Sequence, residues 1–166
     1  YNGMRTIAEG ALTGPYSLYL TTIDLSFNRL REIPYDDFSA ANIPYLYGID
    51  LSNNAFNAFP FAPLSIETLT VMSIRQQRDD EGNRTLREWP TGLYTHPGLS
   101  AFYIGSNDLG KIEDTISPYI LLFEIKDNPN ISIDLSEVCP YIEMGYYELI
   151  YDSTQNIRGC DALNLD

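Results

Sequence analysis

Apolar and polar residues alternate along this chain in short blocks that return every 21 to 30 residues. The clearest block is Leu20-Thr-Thr-Ile23-Asp-Leu25-Ser-Phe-Asn28-Arg-Leu30, continuing to Ile33-Pro34 and Phe38. The frame recurs at Leu46, Ile49, Leu51, Asn54, Phe56, Phe59-Pro60 and Leu64. A third copy has Leu69, Met72, Ile74 and Gln77, breaks, and resumes after seven extra residues at Leu86, Trp89-Pro90 and Leu93. The fourth has Leu99, Phe102, Ile104, Asn107, Leu109, Ile112 and Ile116, and the fifth Ile120, Phe123, Ile125, Asn128, Ile133 and Val138. A degenerate sixth fits Met144, Tyr147, Leu149, Asp152, Ile157 and Leu163. A rival register, Tyr146, Leu149, Tyr151 and Thr154, fits nearly as well. The first is preferred because an Asp can replace Asn as an acceptor and Ile157 then falls in its slot.

The alternation inside each block predicts a short half-buried strand, with Ile23 and Leu25 inward and Thr22, Asp24 and Ser26 outward. One such unit cannot bury its inner face alone, but stacked copies bury a continuous core and pair as a parallel sheet. Beyond each strand the chain turns away and leaves main-chain groups without ladder partners. The side-chain amides of Asn28, Asn54, Asn107 and Asn128 carry the donors and the acceptor to satisfy them, and Gln77 is expected to interrupt that series. Proline after Ile33, Phe59 and Trp89 stops a helix from propagating, so the outer return segments should be turns, short 3₁₀ pieces or single helical turns. Trp89 occupies the slot of Ile33, Phe59 and Ile112 and reads as core rather than as a ligand platform.

The L-x-x-L-x-L-x-x-N frame resembles the leucine-rich repeat family, and the resemblance covers almost the whole chain. The Tyr-, Asn- and Asp-rich composition and the irregular repeat lengths look like the cell-surface leucine-rich repeat proteins of Bacteroides-type bacteria. The resemblance implies an α/β leucine-rich repeat solenoid, with a curved parallel sheet on the concave face and irregular turns and short helical pieces on the convex face. The expected organisation is one domain over residues 1–166, with a truncated first repeat at 1–19. Repeats then start near 20, 46, 69, 99 and 120, and a capping repeat covers about 139–166. Counting back from Asn28 places Asn2 on the ladder position without a strand of its own, so the expectation is a monomeric fragment of a longer solenoid.

Charge narrows the partners. With 10 basic and 23 acidic residues among 166, the net charge is −13 and the pI near 4.2. That balance disfavours nucleic acid and anionic membrane surfaces. Hydrophobic residues at 44% argue against a disordered tail, and no apolar run is long enough to cross a membrane. The single histidine, His96, would have to carry any histidine-based metal site or catalytic triad alone. Cys139 and Cys160 fall in the return segments of the last two repeats. The favoured reading is a disulfide clamping the terminal repeat and implying an oxidising compartment, with two buried thiols as the alternative.

Three outward columns line the concave face. The first reads Thr22, Gly48, Val71, Ala101, Leu122 and Tyr146; the middle Asp24, Asp50, Ser73, Tyr103, Glu124 and Glu148; the third Ser26, Ser52, Arg75, Gly105, Lys126 and Ile150. Apolar residues on a face that should be wet are the informative feature. The candidate partner-binding residues are therefore Arg75, Tyr103, Leu122, Glu124, Lys126 and Tyr146, an aromatic and aliphatic centre with charges at its border. Asp24, Asp50, Glu124 and Glu148 read as a solvated acidic face rather than an acid–base pair or a calcium site, which needs more oxygens. The polar insertion from Arg75 to Arg84 is either an added binding element or a solvated loop. The sequons at Asn83 and Asn130 are expected by chance and decide nothing. No nucleophile–base pair, metal cluster or cofactor motif stands out. The expected function is a non-catalytic interaction module, extracellular or at the cell surface, that binds a protein or peptide, or else a glycan. A structural spacer for another domain is the alternative.

Overall fold

Each block with alternating polarity forms a strand of three residues, as its spacing predicts. The computed structural model describes residues 2–91 and 93–163. Its strands are β1 (Thr22–Asp24), β2 (Gly48–Asp50), β3 (Val71–Ser73), β4 (Ala101–Tyr103), β5 (Leu122–Glu124), β6 (Ser132–Asp134), β7 (Glu148–Ile150) and β8 (Asn156–Arg158). One parallel sheet runs β1-β2-β3-β4-β5-β7 in sequence order. This is a leucine-rich repeat solenoid.

The register is fixed by the inward residue at each strand centre: Ile23, Ile49, Met72, Phe102, Phe123 and Leu149 lie side by side. A one-residue slip would turn these side chains out to solvent, so the pattern itself selects the pairing. Phe102 and Phe123 stack with centroids 6.1 Å apart, and Trp89 meets both edge-on at 6.0 and 5.8 Å. The tryptophan is thus a half-buried core residue of the return segment, as its slot implies.

The side-chain ladder runs through every full repeat. The Asn54 amide donates to Leu25 O and Leu51 O and accepts from Leu30 N. Asn107 donates to Ile74 O and Ile104 O and accepts from Gln77 N, and Asn128 repeats the arrangement with Ile104 O, Ile125 O and Leu109 N. Gln77 does not interrupt the series. Its longer amide donates to Leu51 O and Arg75 O and accepts from Phe56 N, all while fully buried. Immediately before each ladder residue stands a left-handed one: Phe27, Asn53, Gln76, Ser106 and Asp127, with φ between 54° and 60°. None is glycine, so the sequence carries no conspicuous mark of the turn.

The return segments contain 3₁₀ turns and one short helix, α1 (Cys139–Glu143), in keeping with the prolines. The last two also form a feature that periodicity does not reveal, a two-stranded parallel sheet of β6 and β8. Cys139 in α1 is disulfide-bonded to Cys160, which precedes a 3₁₀ turn at Asp161–Leu163. The last strand of the six-stranded sheet, β7, departs from the preferred register and takes the rival one, with Leu149 beside Phe123. Leu122 pairs with Glu148 and Glu124 with Ile150, so Glu148 enters the first concave column and Ile150 the middle one. Tyr147 is still buried, but it leads into the strand instead of lying in it. The ladder role passes to Gln155, which donates to Ile125 O and Asn128 O and accepts from Asp152 N.

His96 is structural. It is 5% exposed, its Nδ1 lies 2.9 Å from Leu99 N and 3.2 Å from Gly98 N, and its Nε2 lies 3.1 Å from Ile66 O. The two main-chain N–H groups require Nδ1 to accept, so the neutral ring donates through Nε2. Burial holds this imidazole below its ordinary 6.5. The unfolded chain therefore binds the extra proton first as pH falls below about 6.5, and stability present above that pH is lost toward the folded-state value. Thermal melts should show a drop from pH 7.5 to 5.5 that shrinks in His96→Gln; an equal drop in both proteins would remove His96 from the account.

Candidate concave-face interaction site

Three adjacent strands build the centre of the concave face. In the first column Val71, Ala101 and Leu122 are register neighbours, and each is half-buried. Gly48 flanks them on one side and exposed Glu148 on the other. In the middle column Tyr103 on β4 is half-buried and Glu124 on β5 is buried. The third column continues past the strand ends, where main-chain hydrogen bonds from Gln76 N to Gly105 O and Ser106 N to Lys126 O keep Arg75, Gly105 and Lys126 level.

These residues form one constellation. The Arg75 guanidinium lies over the Tyr103 ring, 4.3 Å from its centroid, and Nε donates to Glu124 Oε2. Lys126 Nζ approaches Glu124 Oε1 at 3.6 Å. The Glu124 side chain is only 3% exposed, whereas Arg75 and Lys126 are 40% and 51% exposed. Two cations thus share one sunken carboxylate. Gly105 makes the room: a Cβ there would sit 2.9 Å from Lys126 O and 3.3 Å from Glu124 Oε1. Arg75, past the end of β3, reaches Glu124 on β5 across the bare backbone at Gly105.

Of the six candidate residues, Arg75, Tyr103, Leu122, Glu124 and Lys126 therefore share one surface. Tyr146 does not stand in the first column, because the last strand is shifted. It is exposed in the turn ahead of β7, with its N–H bonded to Tyr141 O. Ile150, half-buried beside Glu124, takes an apolar place in the middle column. Glu124 also departs from the expected solvated acidic face; of the four acids only Asp24 and Glu148 are exposed, with Asp50 half-buried. Asp24 and Asp50 are register partners, but each turns to its own repeat. Asp24 accepts from Ser26 N and Oγ at 2.9 and 2.6 Å, and Asp50 from Ser52 N at 2.9 Å. The hydroxyl and amide of Ser26 hold the Asp24 carboxyl below the usual carboxylate range.

The insertion is braced rather than loose. Arg78 and Arg84 pair as an antiparallel bridge, and the Asp79 carboxylate accepts from Asn83 N at 2.7 Å and Glu81 N at 3.1 Å. Asp80 reaches Arg29 at 3.2 Å, and Arg84 donates to Asn107 O at 2.7 Å and pairs with Asp127. Among the described residues, one group of three potential metal ligands comes together, Cys139, Glu143 and Cys160, and the disulfide consumes its two sulfurs.

A parallel sheet one three-residue strand wide, with a side-chain amide ladder along its edge, defines a leucine-rich repeat protein. The chain is similar to two solved leucine-rich repeat proteins, one from Bacteroides thetaiotaomicron VPI-5482 (49% identity, TM-score 0.94) and one from Bacteroides eggerthii DSM 20697 (52% identity, TM-score 0.92). Each match covers 98% of this chain but only 20% and 27%, respectively, of those chains. Among curated proteins it is similar to Tsukushi of Gallus gallus, 39% identical over 59 residues, and Tsukushi of Xenopus tropicalis, 24% identical over 153 residues. Those matches span 36% and 80% of this chain and 15% and 43% of the relatives. No family model matches the chain. The fold suggests a protein-interaction module, and among the described residues no helix is long and apolar enough to cross a membrane.

Proposed function

We propose that this chain is a non-catalytic interaction module of a secreted or surface-displayed bacterial protein, and that it engages a protein or peptide through its concave face. The observation that carries the reading is the half-buried apolar row Val71, Ala101 and Leu122 on a sheet face, bordered by the Tyr103–Arg75 stack. Apolar and aromatic side chains with Arg at the rim match the composition of binding hot spots. The Cys139–Cys160 bond supports an oxidising compartment.

Tyr103→Ala should weaken partner binding by about 2 kcal/mol or more, because a rigid aromatic anchor is lost. Lys126→Ala, at the wet border, should alter mainly salt dependence and association rate. Both side chains point away from the core, so melting temperatures should stay close to wild type. Titration of the folded variants checks this. Full affinity in Tyr103→Ala, with a loss in Phe61→Ala, would move the site to the convex groove of about 280 Å³ lined by Ile33, Tyr35, Phe59 and Phe61.

A further inference from the structure

The concave centre is specific about charge. Arg75 has five N–H donors in a planar fork, and Glu124 takes only the one on Nε. The edge formed by Nη1 and Nη2 has no acceptor among the described residues, while the ring of Tyr103 supports the plane from below. Lys126 adds a second exposed ammonium on the next strand but one. Arg78 and Arg84 both act on Asp127, the neighbour of Lys126, so four of the chain's ten basic residues gather at the C-terminal ends of β3 to β5. The carboxylates beside these cations are otherwise engaged, while Glu148 stands exposed next to Leu122. Glu124 holds Arg75 and Lys126, Asp127 pairs with Arg84, and Asp152 accepts from Asp127 N at 2.5 Å. A molecule of net charge −13 thus exposes a basic fork at the middle of its inner face.

We infer that this face receives an extended acidic–apolar peptide, with a carboxylate seated on the free edge of Arg75 beside Lys126 and an apolar side chain on Val71, Ala101 and Leu122. The inference rests on the concave-face reading above and adds the chemistry of the partner. A planar guanidinium held from one side by an aromatic face and at Nε by a buried carboxylate is pre-organised for a bidentate carboxylate. Leu122 opens β5 and Lys126 lies two residues past its end, four residues on, about 13 Å at roughly 3.3 Å per extended residue. A peptide lying along the strands therefore needs its acidic and apolar residues four positions apart. Gly105 is part of the device, because a Cβ there would crowd the Lys126 carbonyl at 2.9 Å and the Glu124 carboxylate at 3.2 to 3.3 Å.

The experiment is selection of random decapeptides displayed on phage by the folded chain, at about 0.15 M ionic strength. It is followed by titration of a selected synthetic peptide against wild type, Arg75→Gln, Tyr103→Ala and Leu122→Ala. Selected peptides should share an Asp or Glu four positions from an apolar residue, and Arg75→Gln should weaken binding by about tenfold or more. Replacing the peptide's acid by its amide should weaken binding to wild type by a similar factor and leave binding to Arg75→Gln unchanged. That coupling is independent of any stability change in the variant. No enrichment, basic or neutral peptides, or an absent coupling overturns the inference. If Tyr103→Ala and Leu122→Ala still weaken such peptides, the concave-face reading survives without the carboxylate. If none of the three variants matters, both fall.

Discussion

Replacing Asn107 by Ala should cost the fold about 3 kcal/mol or more. The side chain is fully buried, and its removal leaves Ile74 O and Gln77 N without their partner and Ile104 O with the Asn128 amide alone. Each unsatisfied buried main-chain group carries a penalty of roughly 1–3 kcal/mol. Water cannot repair the loss easily, because the ladder lies between stacked repeats. Asn28→Ala is the internal control. Asn28 serves the first strand and is only half-buried, donating to Leu25 O and Ser26 O and accepting from Met4 N, so its loss should cost clearly less. Asn107→Gln should recover part of the stability, since Gln77 already performs the same task with one more methylene. Denaturant unfolding of the three variants gives the ranking, and equal losses at positions 28 and 107 would mean that the ladder is not what holds the turns.

The second large effect is expected at the C-terminal end. Reduction of Cys139–Cys160, or the double change to Ala, should destabilise the chain by about 2–4 kcal/mol. The effect should be local first. In a repeat array each unit is held by its neighbours, and among the described residues β7 pairs in its sheet with β5 alone. Leu149, Tyr151 and Ile157 are only partly buried, whereas Phe102 and Phe123 in the interior are fully buried. Hydrogen exchange should therefore quicken over β6, α1, β7 and β8 before it changes in β2 to β4. Uniform acceleration along the whole chain would show that the clamp acts globally.

These two devices illustrate what the sequence makes legible. The L-x-x-L-x-L blocks predict all five full-repeat strands in their observed register, because each inward residue has a fixed depth in the stack. The cysteine pair follows from the same stacking. Gln77 looks like a fault in the ladder only when side-chain length is ignored; a Gln amide at the Asn position reaches the same carbonyls. The last repeat is harder for a related reason. From Phe123 to Asn128 is five residues, but from Leu149 to Gln155 is six, and a template that requires the shorter spacing selects Asp152 or Thr154 instead. Tyr147, buried two positions before Leu149, mimics a strand residue and reinforces the wrong frame.

The concave cluster is legible in the sequence as a set of neighbouring residues but not as a network. Column counting brings Arg75, Tyr103, Leu122, Glu124 and Lys126 together, yet it treats Glu124 as a wet acid. Its burial goes with the open space at Gly105, in the next column and past the end of β4, and no local pattern announces that. Asp37 carries no signal in the sequence for a similar reason. It is 2% exposed, and its carboxylate accepts from Gly10 N and Leu12 N, residues brought near only by the fold. The parallel pair β6 and β8 likewise arises from stacking of two return segments whose sequences differ.

In the proposed function the concave face is where this chain meets its partner. The most direct measurement is methyl NMR of the 18.8 kDa chain during titration with a peptide it selects. The methyl resonances of Val71, Ala101, Leu122 and Ile150 should shift first and saturate together. Shifts confined to Ile33, Ala58 and Ala62 in the convex groove, with the concave methyls unmoved, would contradict the account.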